Sequence, residues 1–84
     1  MPTVLMYSVA QCPYCVLARQ LLDKKNISYI DIRVDEAPEK RQEMIEKSGR
    51  YTVPQLFIDG QSIGGCDDLY ALDEQGKLDK LLQK

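Results

Sequence analysis

The fold is decided by residues 3–22, which read TVLMYSVAQCPYCVLARQLL. The first six of these residues are mostly apolar and predict a short buried strand. From Pro13 the spacing of the apolar residues changes to that of a helix, with a predicted buried stripe of Leu17, Ala18, Leu21 and Leu22. Proline suits the first helical position, where its missing N–H leaves no hydrogen bond unmade. The stretch therefore predicts a strand that leads almost directly into a helix.

Further along, the pattern predicts a second strand and a second helix. Apolar and charged residues alternate over residues 30–34, as in a strand with one buried face. A second helix is predicted around Pro38, with acidic residues at its start and a stop at Gly49. Its buried stripe is thin and consists chiefly of Met44 and Ile45. Strand, helix and strand together form a βαβ unit.

The last third of the chain predicts a hairpin followed by a helix. An apolar run after Pro54 meets Asp59-Gly60, a dipeptide typical of a two-residue turn. Gly64-Gly65 then ends the returning strand, and Asp67 or Asp68 is predicted to cap the final helix. That helix contains leucines and one interrupting glycine, namely Leu69, Leu72, Gly76, Leu78, Leu81 and Leu82. The order βαβαββα predicts an α/β fold in which helices flank a four-stranded mixed sheet.

Length and composition limit what this chain can be. Its 84 residues are fewer than the ~100–200 of a typical domain, so we expect one domain spanning residues 1–84. Hydrophobic residues make up 44% and charged residues 29%, which is the composition of an ordinary folded protein. The net charge of −2 provides no general attraction for nucleic acid or anionic lipid. Neither nucleic acid nor a membrane is therefore expected as a partner.

The lack of histidine and the number of cysteines restrict the chemistry further. Without histidine, catalysis by Ser-His-Asp or Cys-His groups is excluded. The apolar run at residues 4–7 is shorter than the ~7–15 residues of a signal peptide core. Three cysteines leave an odd thiol, which is best tolerated in a reducing compartment. The sequence therefore predicts a cytoplasmic protein.

Cys12-Pro13-Tyr14-Cys15 is the segment that points to chemistry. Cys12 is predicted at the cap of the first helix, where its sulfur faces unpaired N–H groups and the positive end of the helix dipole. This position favours the thiolate, so Cys12 is predicted to be the nucleophile. Cys15 lies three residues later on the same helix face, within reach of a disulfide bond. It is predicted to be the more buried, resolving thiol.

Other uses of the cysteine pair stay open on these residues alone. Two small apolar residues can occupy a helix start by chance. A structural zinc site needs four ligands, whereas Cys66 is the only further thiol in a chain without histidine, so no metal is expected. An iron–sulfur cluster shared between two chains needs only thiolates and is compatible with the pair.

Three motifs together resemble those of the glutaredoxin family, and the resemblance covers essentially the whole chain. They are Cys12-Pro13-Tyr14-Cys15, Thr52-Val53-Pro54 and Gly64-Gly65-Cys66-Asp67-Asp68, in the family's order and spacing. The short chain is most similar to the bacterial dithiol members. The resemblance implies a thioredoxin fold, glutathione as reductant and co-substrate, and glutathione-mixed disulfides or protein disulfides as substrates.

The resemblance also implies which residues bind glutathione. In the family, the backbone at Val53 pairs with the cysteinyl part of glutathione, beside a cis peptide bond to Pro54, although proline statistics alone favour trans. The helix start at Cys66 and Asp67 holds the γ-glutamyl end, and Arg41 contacts the glycine carboxylate. The full implied set is Tyr14, Arg41, Thr52, Val53, Pro54, Gly65, Cys66 and Asp67.

Several of these assignments have simpler alternatives. Asp67 can be a plain helix cap, Arg41 a solvated surface charge and Cys66 a structural thiol. One position also departs from the family pattern. Members usually carry a lysine three residues before the catalytic cysteine, where it attracts glutathione and favours the thiolate, whereas this chain has Val9.

Taken together, the residues and the resemblance predict a monomeric, glutathione-dependent disulfide oxidoreductase that acts through Cys12 and Cys15. Its expected partners are glutathione and proteins that carry disulfides or bound glutathione. One alternative is a redoxin reduced by thioredoxin reductase, which is compatible with Val9 but which Gly64-Gly65-Cys66-Asp67 disfavours. The other is a dimer that binds an iron–sulfur cluster, which Pro13 disfavours by resemblance.

Overall fold

The strands and helices lie close to where the sequence predicts them. A computed structural model describes residues 2–82; the predicted domain of residues 1–84 also includes Met1, Gln83 and Lys84, which lie outside the described residues. In chain order the elements are β1 Val4–Ser8, α1 Pro13–Lys24, β2 Ile30–Arg33, α2 Pro38–Ser48, β3 Gln55–Ile58, β4 Gln61–Gly64, α3 Cys66–Glu74 and α4 Lys77–Leu82. The predicted final helix is therefore divided in two at Gly76, whose φ of 73° is left-handed.

The four strands form one mixed sheet in the order β2-β1-β3-β4. β1 and β2 run parallel, whereas β3 is antiparallel to both β1 and β4. Both residues of the Asp59-Gly60 turn have positive φ, at 51° and 82°, as the predicted two-residue hairpin requires. Tyr7 near the end of β1 lies beside Gln55 at the start of β3. The segments that follow β1 and precede β3 therefore meet at one end of the sheet.

Helices cover both faces of the sheet. The larger cluster packs α1, α3 and α4 against one face, and its members are Val4, Met6, Ala18, Leu21, Leu22, Ile27, Leu56, Ile58, Leu69, Leu78 and Leu82. On the other face, Met44 of α2 packs with Tyr7, Val34 and Phe57. β1 and β3 contribute to both clusters because successive side chains of a strand point to opposite faces. This packing fixes the start of α1 against the sheet.

Two residues predicted to be buried are exposed. Leu17 is 41% exposed, because the buried stripe of α1 runs through Cys15, Ala18 and Leu22 and leaves Leu17 on its flank. Ile30 is 54% exposed, because β2 is an edge strand whose one partner within residues 2–82 is β1. The alternation over residues 30–34 thus predicted the strand correctly but overestimated its burial.

Candidate active site

The two thiols of the predicted motif lie where β1 ends and α1 begins. Cys12 has extended backbone angles and is the N-cap of α1, and Pro13 opens the helix as predicted. Cys12 is half-buried, Cys15 one turn later is fully buried, and both are free thiols. The thiol of Cys12 donates a long hydrogen bond of 3.9 Å to the carbonyl oxygen of Val53. The outer thiol therefore faces the segment that precedes β3.

The surroundings shift the pKa values of the two thiols in opposite directions. Burial by itself raises the pKa of Cys12, but hydrogen bonds from Cys15 and from the N–H of Tyr14, together with the charge of Arg19, bring it below the ordinary value. At Cys15 burial dominates and raises the pKa to about 11. Cys12 is therefore the thiol that ionises first, in agreement with its predicted position at the helix cap.

A groove of about 320 Å³ lies beside Cys12, because Val53, whose carbonyl oxygen accepts the bond from the Cys12 thiol, is one of its lining residues. Its walls come from the start of α1, the segment before β3 and the start of α3, and its lining residues are Tyr14, Arg50, Thr52, Val53, Pro54, Gly65, Cys66, Asp67 and Asp68. Seven of the eight residues that the resemblance implies for glutathione binding line this groove, and Arg41 is the exception. The fold thus brings three distant parts of the sequence to one surface.

The arginine at the groove is Arg50, whereas Arg41 is exposed on α2. Arg50 follows Gly49, the C-cap of α2, and its guanidinium donates to Asp68 at 2.9 Å. No local pattern in the sequence indicates this pair, because its members belong to different parts of the fold and meet only through tertiary structure. The predicted contact of Arg41 with glutathione has no counterpart in the lining of the groove.

The start of α3 differs from the prediction in its cap. Gly65, rather than Asp67 or Asp68, is the N-cap, and the helix begins at Cys66. Asp68 reaches back and accepts a hydrogen bond of 2.9 Å from the N–H of Gly65, as the third residue of a capping box does. The helix can begin this early because Gly64 has a φ of 110°, and a Cβ there would overlap the Asp68 carboxylate. Asp67 is exposed and lines the groove.

The side chains of the α3 start have distinct electrostatic settings. The N–H of Gly65 and the guanidinium of Arg50 lower the pKa of Asp68. Cys66 is buried, and burial followed by the charges of Asp67 and Cys12 raises the pKa of its thiol. A buried thiol with a raised pKa is a poor nucleophile, because little of it is present as thiolate. This setting agrees with the structural role considered for Cys66.

The segment Thr52-Val53-Pro54 forms the middle of the groove. The peptide bond between Val53 and Pro54 is cis, as the resemblance implied and proline statistics alone did not. Pro54 is buried and Val53 is half-buried, whereas Thr52 is exposed. The amide of Gln55 donates to the hydroxyl of Thr52 at 3.2 Å. The Val53 carbonyl, which accepts the bond from Cys12, places this segment directly beside the reactive thiol.

The described residues offer few other kinds of chemistry. Among residues 2–82, no three His, Cys, Asp or Glu side chains are grouped so that they could hold a metal ion. In the same part of the chain, no helix has the length and apolar character needed to cross a membrane. An outer thiol that ionises readily beside a protonated inner thiol is suited to thiol–disulfide exchange.

Comparison with known proteins agrees with this geometry. A glutaredoxin family model matches residues 4–63. Glutaredoxin 3 of Escherichia coli strain K12 is 54% identical over 83 residues, which cover 99% of this chain and all of that protein. A solution structure of glutaredoxin from Brucella melitensis has 50% identity and a TM-score of 0.83, covering 95% of this chain and 87% of that chain.

A crystal structure of a buckwheat glutaredoxin–glutathione complex is also similar, with 29% identity and a TM-score of 0.90 over 98% of this chain and 77% of that chain. The sheet and its flanking helices are thus those of the thioredoxin fold, as predicted. The length of the chain and its full-length match agree with the short bacterial members. From the dithiol at the helix start, the cis-proline segment and these matches, we conclude that the chain belongs to the glutaredoxin family of thiol–disulfide oxidoreductases.

Proposed function

We propose that this protein uses glutathione to reduce glutathione-mixed disulfides and protein disulfides through Cys12 and Cys15. The observation that carries the proposal is the groove beside Cys12, where charges of both signs and backbone groups converge next to the thiol of lower pKa. Glutathione carries its thiol between a γ-glutamyl end, which bears an ammonium group and a carboxylate, and a glycine end, which bears a second carboxylate, so a matching site needs both signs of charge. The glutathione complex of the buckwheat relative supports the same ligand here.

Each part of glutathione has a matching group in the groove. The backbone at Val53 is suited to pair with the cysteinyl part, which brings the glutathione sulfur to Cys12. The N–H groups at the start of α3 suit the γ-glutamyl carboxylate, and Asp67 suits the ammonium group. For a carboxylate of glutathione we propose Arg50 ahead of Arg41, because only Arg50 lines the groove.

The first reaction that we propose is the removal of glutathione from a substrate. The Cys12 thiolate attacks the glutathione sulfur of the mixed disulfide, and the substrate thiolate leaves and takes up a proton. The thiolate of a second glutathione then attacks the glutathione sulfur bound to Cys12. This step releases the Cys12 thiolate and forms glutathione disulfide. Cys12 alone is sufficient for this cycle.

The second reaction reduces a protein disulfide and needs both cysteines. The Cys12 thiolate attacks one substrate sulfur and forms a disulfide bond with the substrate. Cys15, after loss of its proton, attacks the sulfur of Cys12, and the substrate leaves as a dithiol. Two glutathione molecules then reduce the Cys12–Cys15 disulfide.

We also propose that the protein works as a monomer in the reducing cytoplasm, where its three free thiols are stable.

A coupled turnover assay tests the proposal. A small glutathione-mixed disulfide is supplied as substrate, and NADPH oxidation is followed with either glutathione and glutathione reductase, or thioredoxin reductase alone. We expect turnover that depends on glutathione and is lost when thioredoxin reductase replaces it. Turnover with thioredoxin reductase and none with glutathione would contradict the proposal and identify a redoxin reduced by thioredoxin reductase. The cluster-binding alternative is tested separately, because a visible absorbance spectrum of the anaerobically purified protein would reveal a bound iron–sulfur cluster.

A further inference from the structure

A network of polar side chains joins the end of β1 to α1 and β2, and Arg19 is at its centre. Nε of Arg19 donates to Asp31 at 2.9 Å. Nη2 of the same side chain donates to the hydroxyl of Ser8 at 2.8 Å and to the carbonyl oxygen of Val9 at 3.2 Å. Ser8 is fully buried, and its hydroxyl also donates to Asp31. The end of β1 and the strand β2 thus hold the guanidinium group of this α1 residue.

These contacts distinguish Arg19 from an ordinary surface arginine. The side chain of Arg19 is 21% exposed and that of Asp31 is 28% exposed. A planar guanidinium with several bonded N–H groups has few alternative orientations. The charge of Arg19 is therefore fixed in position and is less screened by solvent than that of an exposed ion pair.

The peptide at Val9 connects this network to the thiols. Its carbonyl oxygen accepts the bond from Arg19, and its backbone N–H lowers the pKa of the Cys15 thiol. Arg19 also lies four residues after Cys15, on the same face of α1. Its positive charge lowers the pKa values of both Cys12 and Cys15. The guanidinium thus acts on the thiols through the backbone and through its charge.

Other charged groups lie around the place where β1 ends and α1 begins. Asp35, at the turn after β2, accepts a bond of 3.3 Å from the N–H of Ala10 and pairs with Arg33. On α3, Asp67 and Cys66 face the groove. Of these groups and Asp31, only Arg33 is cationic, and it is paired with Asp35. The cation that lines the groove, Arg50, is paired with Asp68. Arg19 is the cation that lowers the pKa values of both thiols.

We propose that Arg19 is a positioning residue for the reactive dithiol. Fixed by Ser8 and Asp31, its guanidinium holds the Val9 peptide in place at the end of β1 and, one helical turn from Cys15, supplies positive charge that stabilises the Cys12 thiolate. Arg19 thus supplies a positive charge near Cys12 in a chain whose residues 8–11, which lead up to that cysteine, contain no cation. The inference rests on the proposed role of Cys12 as the nucleophile.

Site-resolved alkylation tests this inference without glutathione. The reduced protein is treated briefly with iodoacetamide at a series of pH values, and modification of Cys12 is quantified by mass spectrometry. Arg19→Gln keeps an N–H donor without the charge, and Arg19→Lys keeps the charge without the planar fork. Lys24→Gln is the matched control, because it removes one exposed positive charge from the last turn of the same helix.

We expect Arg19→Gln to decrease the alkylation rate of Cys12 at mildly acidic pH by about threefold to tenfold, which corresponds to a pKa rise of about half a unit to one unit. Arg19→Lys should recover most of the rate, and Lys24→Gln should match the wild type. A purely structural ion pair would give no rate change in a folded variant. An unchanged rate in Arg19→Gln, or an equal decrease in Lys24→Gln, overturns the proposal.

Thermal unfolding checks that each variant is folded. If Arg19→Gln does not fold, Arg19→Met takes its place, because it is also neutral and retains an apolar stem, and the same decrease is expected. Turnover with glutathione is measured in parallel. A decreased alkylation rate together with no dependence on glutathione would support the role of Arg19 and contradict the proposed function, so the two can fail separately.

Discussion

The thiol junction, residues 8–15, and the groove beside it are assembled in different ways. The junction is contiguous in sequence, and its outer thiol is placed by the start of one helix. The groove is formed by three separate segments that only the folded sheet brings together. The comparison indicates that local sequence is enough to locate the reacting atoms, whereas the binding surface depends on tertiary structure. We expect the junction to govern exchange with any reductant and the groove to govern the use of glutathione.

Substitution of the two cysteines has the largest expected effect. Cys12→Ser should abolish catalysis of every disulfide reduction and leave only the uncatalysed rate with glutathione or with dithiothreitol, because Cys15 and Cys66 are buried thiols with raised pKa values. Cys15→Ser should retain the removal of glutathione from small substrates and lose the reduction of protein disulfides, since only the latter needs a resolving thiol. Steady-state assays with both substrate types measure this difference. Equal loss in the two variants would contradict the assigned roles.

Substitution of Asp67 has the second-largest expected effect, and it should weaken glutathione binding in the groove without changing thiol exchange at Cys12. Asp67→Asn and Asp67→Ala should both raise the KM for glutathione by about fivefold, which corresponds to about 1 kcal/mol for an exposed charge-assisted contact. Reduction of the Cys12–Cys15 disulfide by dithiothreitol should not change. Because Gly65 is the N-cap of α3, neither substitution removes a cap.

Glu74→Gln provides the control for the Asp67 variants, since it removes one exposed carboxylate from the other end of α3. It should leave glutathione kinetics and dithiothreitol reduction as in the wild type. Normal glutathione kinetics in Asp67→Asn would show that the carboxylate has no part in binding.

Arg50 and Arg41 allow a direct comparison between the arginine that lines the groove and the arginine that the resemblance implies for glutathione binding. Arg50→Gln should raise the KM for glutathione by about twofold to fivefold, because it removes a cation from the groove and releases Asp68. Arg41→Gln should have a smaller effect, because Arg41 is not part of the lining. Both variants are compared at the same ionic strength. A larger effect of Arg41→Gln than of Arg50→Gln would indicate that Arg41 contacts glutathione, as the resemblance implies, and would contradict our preference for Arg50.

Val9→Lys is expected to have the smallest effect. An added ammonium group should lower the pKa of Cys12 and the KM for glutathione, by Coulomb attraction. Exposure of the new charge will weaken this attraction, and Arg19 already supplies one positive charge. Val9 also packs against the cluster around Tyr7 and Phe57, so the stem of lysine must cover that surface. A thiolate titration and glutathione kinetics that both stay at wild-type values would show that position 9 does not matter here.

Features set by neighbouring residues could be predicted from the sequence. The helix start at Cys12 and Pro13, the hairpin at Asp59-Gly60 and the helix stop at Gly49 each depend on local backbone preferences, and all three are confirmed. The cis bond before Pro54 came from resemblance alone, because local statistics favour trans.

Features set by tertiary contacts could not be predicted. The bond between Arg50 and Asp68 and the contact of Arg19 with Val9 join residues from different elements. The exposure of Ile30 depends on the place of β2 at the sheet edge, which the alternation of its residues does not encode. The predicted cap at Asp67 or Asp68 was wrong, because the conformation of Gly64 lets the helix begin earlier.

The assignment of exchange to the thiol junction and of glutathione binding to the groove is tested most directly by one structure. The Cys15→Ser variant can be trapped as a mixed disulfide between Cys12 and glutathione, and its structure determined by NMR spectroscopy or crystallography. We predict that the cysteinyl backbone pairs with Val53 and that the γ-glutamyl end lies at Cys66 and Asp67. Glutathione held by its sulfur alone, with the rest of the tripeptide in solvent or against α2, would contradict the account.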